Sequence, residues 1–199
     1  MNIEQAWFHN ALFDKDREKK CGQHLLKNHS DNFYERYFAS YYFRDYNSIK
    51  DNNYCIYQHT NGVCVVTIPH DSYLRKLSDK YQSIKCEFKI SKNVNLSEHH
   101  VKGKRKKGGH FFQHGFDLCA QLNCDDNVKI PVNCIVPGRL FEINSKLIES
   151  SSYQDFLDAK FIAIIMPKIR KDVPEEENKI PAILKNQVIL SKEEYDGMC

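Results

Sequence analysis

The segment from Ile135 to Asn144, together with the later apolar run Phe161–Met166, constrains the fold of this chain more than any other part. The pattern is typical of a strand, a glycine break, a second strand, a polar turn and a final buried strand. We expect Leu140 and Ile143 to face a core, and Gly138 to relieve the backbone where the strand bends. The asparagine that ends the segment marks the turn. The pattern predicts a β-domain.

The composition fits a globular chain. Its 199 residues have room for one domain with extensions or for a small pair of domains, and an apolar fraction of 41% can support a core. The net charge of +3 is mild, so any electrostatic argument must rest on local clusters. The opening residues lack the basic start of a secretory signal, and no window approaches the ~18 apolar residues of a membrane helix. We therefore expect a soluble, intracellular protein.

Two hairpins and a single strand are predicted upstream of Ile135. The pair Asn61-Gly62 joins two runs rich in β-branched and aromatic residues, which is the strongest short hairpin signal. Residues 84–90 alternate between apolar and polar, as in a half-buried strand. The hairpin runs are Tyr54–His59 with Val63–Ile68, and Leu118–Leu122 with Val128–Val132 around the tip Asn123–Asn127.

The flanking segments differ in character. A polar connection is expected over Leu147–Ala159 and a linker over Pro174–Pro181, whereas Ser191 and Glu194 are spaced as a helix-capping box. The aromatic run Asp31–Phe43 suits a helix in its first part and a strand in its last, and it either packs or offers a stacking surface for bases. The predicted regions are an N-terminal, partly helical extension (1–32), the β-domain (33–168), and a charged linker with a short C-terminal helix (169–199).

The eight cysteines are interpreted as reduced, because no secretory signal is apparent. Cys64, Cys119 and Cys134 lie in apolar, strand-like runs and are expected to act as small core residues. A metal site is the alternative, but no Cys-x-x-Cys pair occurs and the spacings match no zinc-finger pattern. We predict neither a metal nor a cofactor. The four residues considered for the metal are His110, His114, Cys119 and Cys124.

A basic loop, Lys102–Gly109, places five cations in six positions between glycines. Such charge density must be exposed to solvent. The loop is a solvated turn, an anion-binding patch for nucleic acid or an acidic protein, or a nuclear-import signal with Lys104–Lys107 as its core. The candidate binding residues are Lys102, Lys104, Arg105, Lys106 and Lys107.

The order of the predicted elements resembles the hammerhead fold of lipoyl- and biotin-carrier domains and of the glycine-cleavage H protein. In those domains the modified lysine stands at the hairpin tip upstream of the glycine corresponding to Gly138. Here the tip is Asp125–Asn127, and the nearest lysine, Lys129, lies on the next strand. The resemblance implies a mostly β, single-hybrid-motif domain (barrel-sandwich hybrid, lipoyl/H-protein-like) with short flanking helices, and without the lysine of a carrier.

Several blocks follow one another along the chain: Tyr34–Phe38, Cys55–Ile68, Val101–Gly109, Val136–Asn144, Phe161–Lys168 and Leu190–Tyr195. In this order they resemble the actin-binding transcription modulator family, also called Simiate or Abitram. This resemblance implies a non-enzymatic protein that binds monomeric and filamentous actin, modulates polymerisation and cell protrusions, and has a role in nuclear speckles and transcription. It also implies a nuclear and a cytoplasmic, cytoskeletal location.

The resemblance carries no residue-level actin site, so we place the site at the basic loop, because filament surfaces are acidic. The alternative is a nucleic-acid-associated nuclear factor that uses the same loop together with the aromatic segment near Phe33, with RNA or speckle proteins as partners. An enzyme or acyl carrier is the weakest hypothesis. No nucleophile, base and orienting group are recognisable, and turn chemistry accounts for Asp125 and Asp126.

Overall fold

The computed structural model describes residues 37–91, 94–98, 109–150, 152–168, 170–185 and 187–198. The chain divides into two units, Met1–Phe38 and Ala39–Cys199. The predicted extension 1–32, its boundary with the β-domain and the cations of the basic loop lie outside the described residues. No helix within the described ranges is both long and apolar enough to cross a membrane.

Strands form most of the regular structure, and all pairings with a defined register are antiparallel. This confirms a mostly β protein. The strands are β1 Phe38–Phe43, β2 Tyr54–His59, β3 Cys64–Thr67, β4 Ile84–Glu87, β5 Lys89–Ser91, β6 Val94–Asn95, β7 Phe111–Phe112, β8 Leu118–Cys124, β9 Lys129–Asn133, β10 Gly138–Ile143 and β11 Ala163–Pro167. The helices are α1 Ser145–Ser150, α2 Tyr153–Asp158, α3 Ile180–Ile183 and α4 Lys192–Asp196. The larger sheet has the order β1-β2-β3-β11-β10-β7, a second has β4-β8-β9, and β5 pairs with β6.

The first predicted hairpin is confirmed as β2 and β3. Ile56 lies opposite Val66, and the amide of His59 donates to the carbonyl of Val63 at 2.8 Å. Gly62 has a φ of 88°, a left-handed conformation that glycine adopts without steric cost. The Asn-Gly pair therefore closes the hairpin for the expected stereochemical reason.

The second hairpin is confirmed as β8 and β9, with a short 3-10 turn over Asp125–Asn127. The carboxylate of Asp125 accepts hydrogen bonds from the amides of Gln82 and Ser83 at 2.8 and 3.0 Å, and so fixes the chain that enters β4. The single strand predicted over residues 84–90 is broken at Phe88, where β4 ends and β5 leaves for a different sheet.

Leu140 and Ile143 both face the core, as expected. In a regular strand, residues three positions apart would point to opposite faces. A bulge in β10 brings both to the core: Leu140 pairs with Ile165, whereas Glu142 pairs with Ile164. Gly138 does not adopt the left-handed conformation that favours glycine. That conformation occurs instead at Ile135, which has a φ of 62° and is fully buried.

Gly138 has another purpose at the start of β10. A Cβ on this residue would stand 2.4 Å from the carbonyl oxygen of Met166, so a side chain would push β11 away. β11 lies between β3 and β10 in the larger sheet, and its buried residues confirm the predicted last strand.

Two expectations for the connections are wrong. The segment predicted as a polar connection contains α1 and α2, which bury Leu147, Tyr153 and Phe156 against the core. The segment predicted as a linker contains a 3-10 turn and the start of α3. Its Ile180 is fully buried, and the Ile180 amide donates to the side-chain oxygen of Gln58 at 3.0 Å.

The capping box is confirmed at the C-terminal helix. The Ser191 side chain accepts from the amide of Glu194, and the Glu194 carboxylate accepts from the amide of Ser191. The last part of the aromatic run Asp31–Phe43 forms the strand β1, as its pattern suggested. Tyr42 and Phe43 are buried within this strand.

Candidate functional site

The predicted binding residues Lys102, Lys104, Arg105, Lys106 and Lys107 all lie outside the described residues. The structure describes the chain up to Glu98 before them and from Gly109 after them. The segment from Gly109 to Asp117 immediately follows the cations in the sequence.

That segment presents what we call the aromatic surface, formed by Phe111, His114 and Phe116. Phe111 is 47% exposed and Phe116 is 59% exposed, which is unusual for phenylalanine. The rings of His114 and Phe116 are stacked, with centroids 4.9 Å apart and planes only 8° apart. The stacked pair offers a flat face to solvent, and in the sequence it follows shortly after the cations of the basic loop.

The turn that carries the aromatic surface is fixed by its own hydrogen bonds. The carboxylate of Asp117 accepts from the amides of Gln113 and His114, at 2.6 and 3.0 Å. Gly115 approaches the segment after β9 closely: a Cβ there would lie 2.3 Å from the carbonyl oxygen of Ile135. The rings are thus held by a rigid turn beside β7, the last strand of the larger sheet.

The alternative metal site does not form. His114 stacks on Phe116 at the surface, His110 packs edge-on against Phe112, and Cys119 is completely buried. Within the described ranges, no group of three or more His, Cys, Asp or Glu side chains is arranged to hold a metal ion.

The cysteines expected in the core are there. Cys64, Cys119 and Cys134 are fully buried, and burial raises the pKa of each thiol. The hairpin tip has no lysine either: Lys129 is the first residue of β9, and its side chain is exposed.

A second candidate, which we call the C-terminal cleft, lies between the loop after β3 and the helix α4. It has a volume of about 390 Å³. Sequence reasoning missed it, because its walls come from distant parts of the chain. They are Tyr42, Cys55, Tyr57, Thr67, Ile68, Pro69, His70, Arg75, Ala159, Lys160, Lys192, Tyr195 and Asp196.

The helix α4 is anchored beside this cleft by an aromatic pair. The ring of Tyr195 stacks on Tyr42 with centroids 4.6 Å apart, and Tyr195 is almost completely buried. Just before α4, Leu190 forms two backbone hydrogen bonds with Tyr42, at 2.9 and 3.0 Å. The C-terminal segment therefore covers the outer edge of β1.

The inner wall of the cleft is a group of neutral hydrogen-bonding side chains. Burial raises the pKa of the Cys55 thiol to about 11, and hydrogen bonds from Tyr57, Tyr42 and Thr67 oppose part of this rise. Burial also raises the pKa of Tyr57 to about 12 and raises that of Tyr42. All three groups keep their protons near neutral pH.

Comparison with other proteins identifies the family. No protein-family model matches the chain. Three similar proteins are each named Protein Abitram. The relative from Dictyostelium discoideum is 30% identical over 154 residues, which cover 73% of this chain and 81% of the relative. The Drosophila melanogaster relative is 30% identical over 169 residues, which cover 79% of this chain and 72% of the relative. The Homo sapiens relative is 29% identical over 139 residues, which cover 69% of this chain and 75% of the relative. The chain belongs to the Abitram family.

Proposed function

We propose that this protein binds monomeric and filamentous actin without catalysing a reaction. In this proposal it modulates actin polymerisation and the dynamics of cell protrusions, and it has a second role in transcription at nuclear speckles. Membership of the Abitram family supports the proposal. The observation that carries it is the run of five cations in six positions directly before the aromatic surface.

The basic loop is the proposed contact with actin, through Lys102, Lys104, Arg105, Lys106 and Lys107. Attraction between these cations and an acidic filament is screened by salt, so the affinity should fall as ionic strength rises. The aromatic surface supplies the apolar contact that charge alone lacks, because exposed aromatic groups are enriched at the centres of protein interfaces.

Co-sedimentation with filamentous actin tests this proposal. The fourfold charge reversal Lys104→Glu, Arg105→Glu, Lys106→Glu and Lys107→Glu should abolish pelleting with filaments. A matched variant reverses four exposed lysines elsewhere: Lys50, Lys129, Lys171 and Lys185. This control should pellet like the parent protein, and both variants should keep the parent's thermal unfolding curve. Unchanged pelleting of the loop variant would remove the loop from the proposal.

A nucleic-acid-associated nuclear factor is the alternative, and the aromatic surface favours it as well, because bases stack on exposed rings beside cations. RNA added as a competitor in the same assay separates the two. If RNA is the true partner, it should displace the protein from filaments, and its own affinity should fall steeply with salt. A shallow or absent salt dependence of RNA binding counts against this alternative.

We also propose that Lys104–Lys107 acts as a nuclear-import signal, which would divide the protein between the nucleus and the cytoskeleton. Replacement of these four residues by alanine should shift the protein to the cytoplasm. Equal nuclear accumulation of the parent and the variant would refute the proposed signal.

For the fold, we propose a single hybrid motif of the lipoyl and H-protein type. The β8–β9 hairpin, the left-handed backbone conformation of Ile135 and the β10–β11 pair support this proposal. An experimentally determined structure should superimpose these elements on an H protein. A lipoate ligase should leave the protein unmodified, since no lysine stands at the tip; acylation of Lys129 would contradict the expectation.

A further inference from the structure

Two buried side-chain oxygens have no hydrogen-bond partner among the residues that the structure describes: Oδ1 of Asn52 and Oγ of Ser72. Both residues are at most 1% exposed, so bulk solvent does not reach either atom. A buried polar atom without a hydrogen bond destabilises the folded state, and native structures contain few of them. Each of these oxygens therefore requires a specific partner.

The two residues lie opposite each other, because the contacts on either side of them define an antiparallel register. On one side, the amide of Tyr73 donates to the carbonyl of Asp51 at 2.8 Å. On the other, the side-chain amide of Asn53 donates to the carboxylate of Asp71 at 2.9 Å. The residues with the unpaired oxygens stand between these contacts, and directly opposed residues of antiparallel chains have Cβ atoms about 4.5–5.5 Å apart. One small molecule can therefore bridge the two oxygens.

The side chain of Asn52 is held in a single orientation. Its Nδ2 donates to the carbonyl of Tyr46 at 3.0 Å, and its backbone carbonyl accepts from the Tyr46 amide at 3.0 Å. Since only the NH2 end of the side chain can donate to a carbonyl, Oδ1 is the end that lacks a partner. This oxygen can only accept, whereas the hydroxyl of Ser72 both donates and accepts. The missing partner must therefore donate to Asn52 and can take either role at Ser72.

We propose that Asn52 and Ser72 bind one internal water molecule, which donates to Oδ1 of Asn52 and shares a hydrogen bond with Oγ of Ser72. Internal waters of globular proteins stand between buried polar groups of this kind. Holding one ordered water costs less free energy than leaving two buried oxygens unpaired. Both oxygens belong to neutral side chains, which suit water better than an ion, because a buried charge requires a partner of opposite sign.

The water site supports a loop whose backbone is unusual. Four non-glycine residues within positions 45–51 have a positive φ, and such conformations persist only where the surrounding contacts over-determine them. Asn52 grips Tyr46 in this loop, and the hydroxyl of Tyr46 lies so close to Gly115 that a Cβ there would stand 2.7 Å from it. The site therefore helps to position the turn that carries the aromatic surface. The proposal is independent of actin binding and uses no residue of the basic loop.

The first experiment is a crystal structure of the full-length protein at a resolution that shows ordered water. We expect one water at about 2.7–3.2 Å from both oxygens. A crystal soaked in rubidium chloride distinguishes water from a monovalent cation, because rubidium gives an anomalous signal; we expect no such signal at this site. In solution, the side-chain amide protons of Asn52 should show a nuclear Overhauser effect to water, with the sign of a molecule that tumbles with the protein.

Variants establish that both oxygens hold the same molecule. Ser72→Ala should weaken the Overhauser effect and lower the melting temperature by about 3 °C or more, because it removes one partner of the water. Asn52→Ala should lower it further, since the bond to Tyr46 is lost as well. The two substitutions together should cost less than the sum of their separate effects, because both act through one water. The matched control, Ser83→Ala, removes a hydroxyl at an exposed position and should change the melting temperature by less than about 1 °C.

Any of three results would overturn the proposal. They are a site without water in the crystal structure, a direct hydrogen bond between the two oxygens, and an anomalous signal from rubidium at the site. Strictly additive effects of the two substitutions would also count against a shared water. If Asn52→Ala does not fold, the crystal structures of the parent protein and of Ser72→Ala decide the question, since the second should lack the water.

Discussion

The hydroxyl oxygen of Tyr195 lies 2.6 and 2.7 Å from the two carboxylate oxygens of Asp71, which is 124 positions earlier in the chain. The side-chain amide of Asn53 donates to the same carboxylate at 2.9 Å. Asp71 thus joins three segments: the loop before β2, the loop after β3 and the C-terminal helix. This carboxylate holds α4 in place, and α4 forms one wall of the cleft.

Replacement of Tyr195 should loosen the C-terminal segment in two steps. Tyr195→Phe removes a hydrogen bond to a charged acceptor and should lower the free energy of unfolding by about 1–2 kcal/mol. Tyr195→Ala also removes the buried ring that stacks on Tyr42, and should cost about 3–5 kcal/mol. Urea denaturation measures both values, and hydrogen exchange at the Leu190 amide should accelerate in the same order.

Tyr81→Phe is the matched control for Tyr195→Phe. The Tyr81 ring is only partly buried, so its variant should stay within about 0.5 kcal/mol of the parent protein. Equal effects of the two substitutions would show that the contact between Tyr195 and Asp71 adds nothing specific.

Gly138→Ala should destabilise the protein although it adds only one methyl group. The new Cβ would lie 2.4 Å from the carbonyl oxygen of Met166, and a backbone atom cannot rotate away. We expect a loss of about 1–3 kcal/mol in the free energy of unfolding. The control is Gly197→Ala, where the Cβ meets its nearest atom at 3.3 Å, and its effect should remain within about 0.5 kcal/mol. A neutral Gly138→Ala would mean that β10 and β11 are farther apart than described.

The buried thiols should make the protein unstable in alkali. Burial raises the pKa of Cys55 to about 11 and the pKa values of Cys86 and Cys119 to about 12, whereas an unfolded cysteine has a pKa of about 8.5. Between these values the folded state holds more protons than the unfolded state. The stabilisation is therefore complete below about pH 8 and is lost as the pH rises through the folded pKa values.

The free energy of unfolding should fall by up to about 1.4 kcal/mol per pH unit for each such thiol above pH 9. Urea denaturation between pH 7 and pH 10.5 measures how steeply the free energy of unfolding falls with pH. Cys55→Ala should reduce this slope by the contribution of one proton, which is up to about 1.4 kcal/mol per pH unit. A free energy of unfolding that rises over this interval would reverse the sign and refute the prediction. Thiol labelling at pH 8 should also leave these three cysteines unmodified until the protein unfolds.

The aromatic surface should contribute to actin binding separately from charge. Phe111→Ser combined with Phe116→Ser should lower the affinity for filaments about tenfold or more, since aromatic groups often dominate interface energies. Both rings are about half exposed, so folding should be preserved. Val188→Ser, at a residue that is 77% exposed elsewhere, is the control and should bind normally. The aromatic variant should keep the parent's salt dependence, because it leaves every charge unchanged.

Local signals explain which parts of the fold could be predicted. The Asn-Gly turn and the capping box of Ser191 and Glu194 are each determined within a few residues. The helices α1 and α2 were not predictable in this way, because a six-residue helix is too short to establish a 3.6-residue period. Packing against the core through Leu147 and Phe156 stabilises them, and the Ser152 side chain caps the start of α2.

The turn at Ile135 shows a different limit. A glycine three positions later is the natural choice for an unusual backbone conformation, and nothing local predicts that an isoleucine adopts a φ of 62°. The conformation is retained because the side chain is fully buried and the amide donates to the carbonyl of Gly115 at 2.8 Å. The C-terminal cleft could not be predicted from local signals either, because Tyr42, Arg75 and Lys192 come together only in the folded chain.

The backbone pairing of Leu190 with Tyr42 also has a practical consequence. A chain shortened at Ile189 would leave the N–H and C=O groups of Tyr42 without their partners on β1, an edge strand of the larger sheet. Exposed edge strands pair with strands of other molecules, so the shortened protein should self-associate and precipitate. Affinity tags and fluorescent fusions at this end of the protein would need a linker long enough to leave that pairing undisturbed.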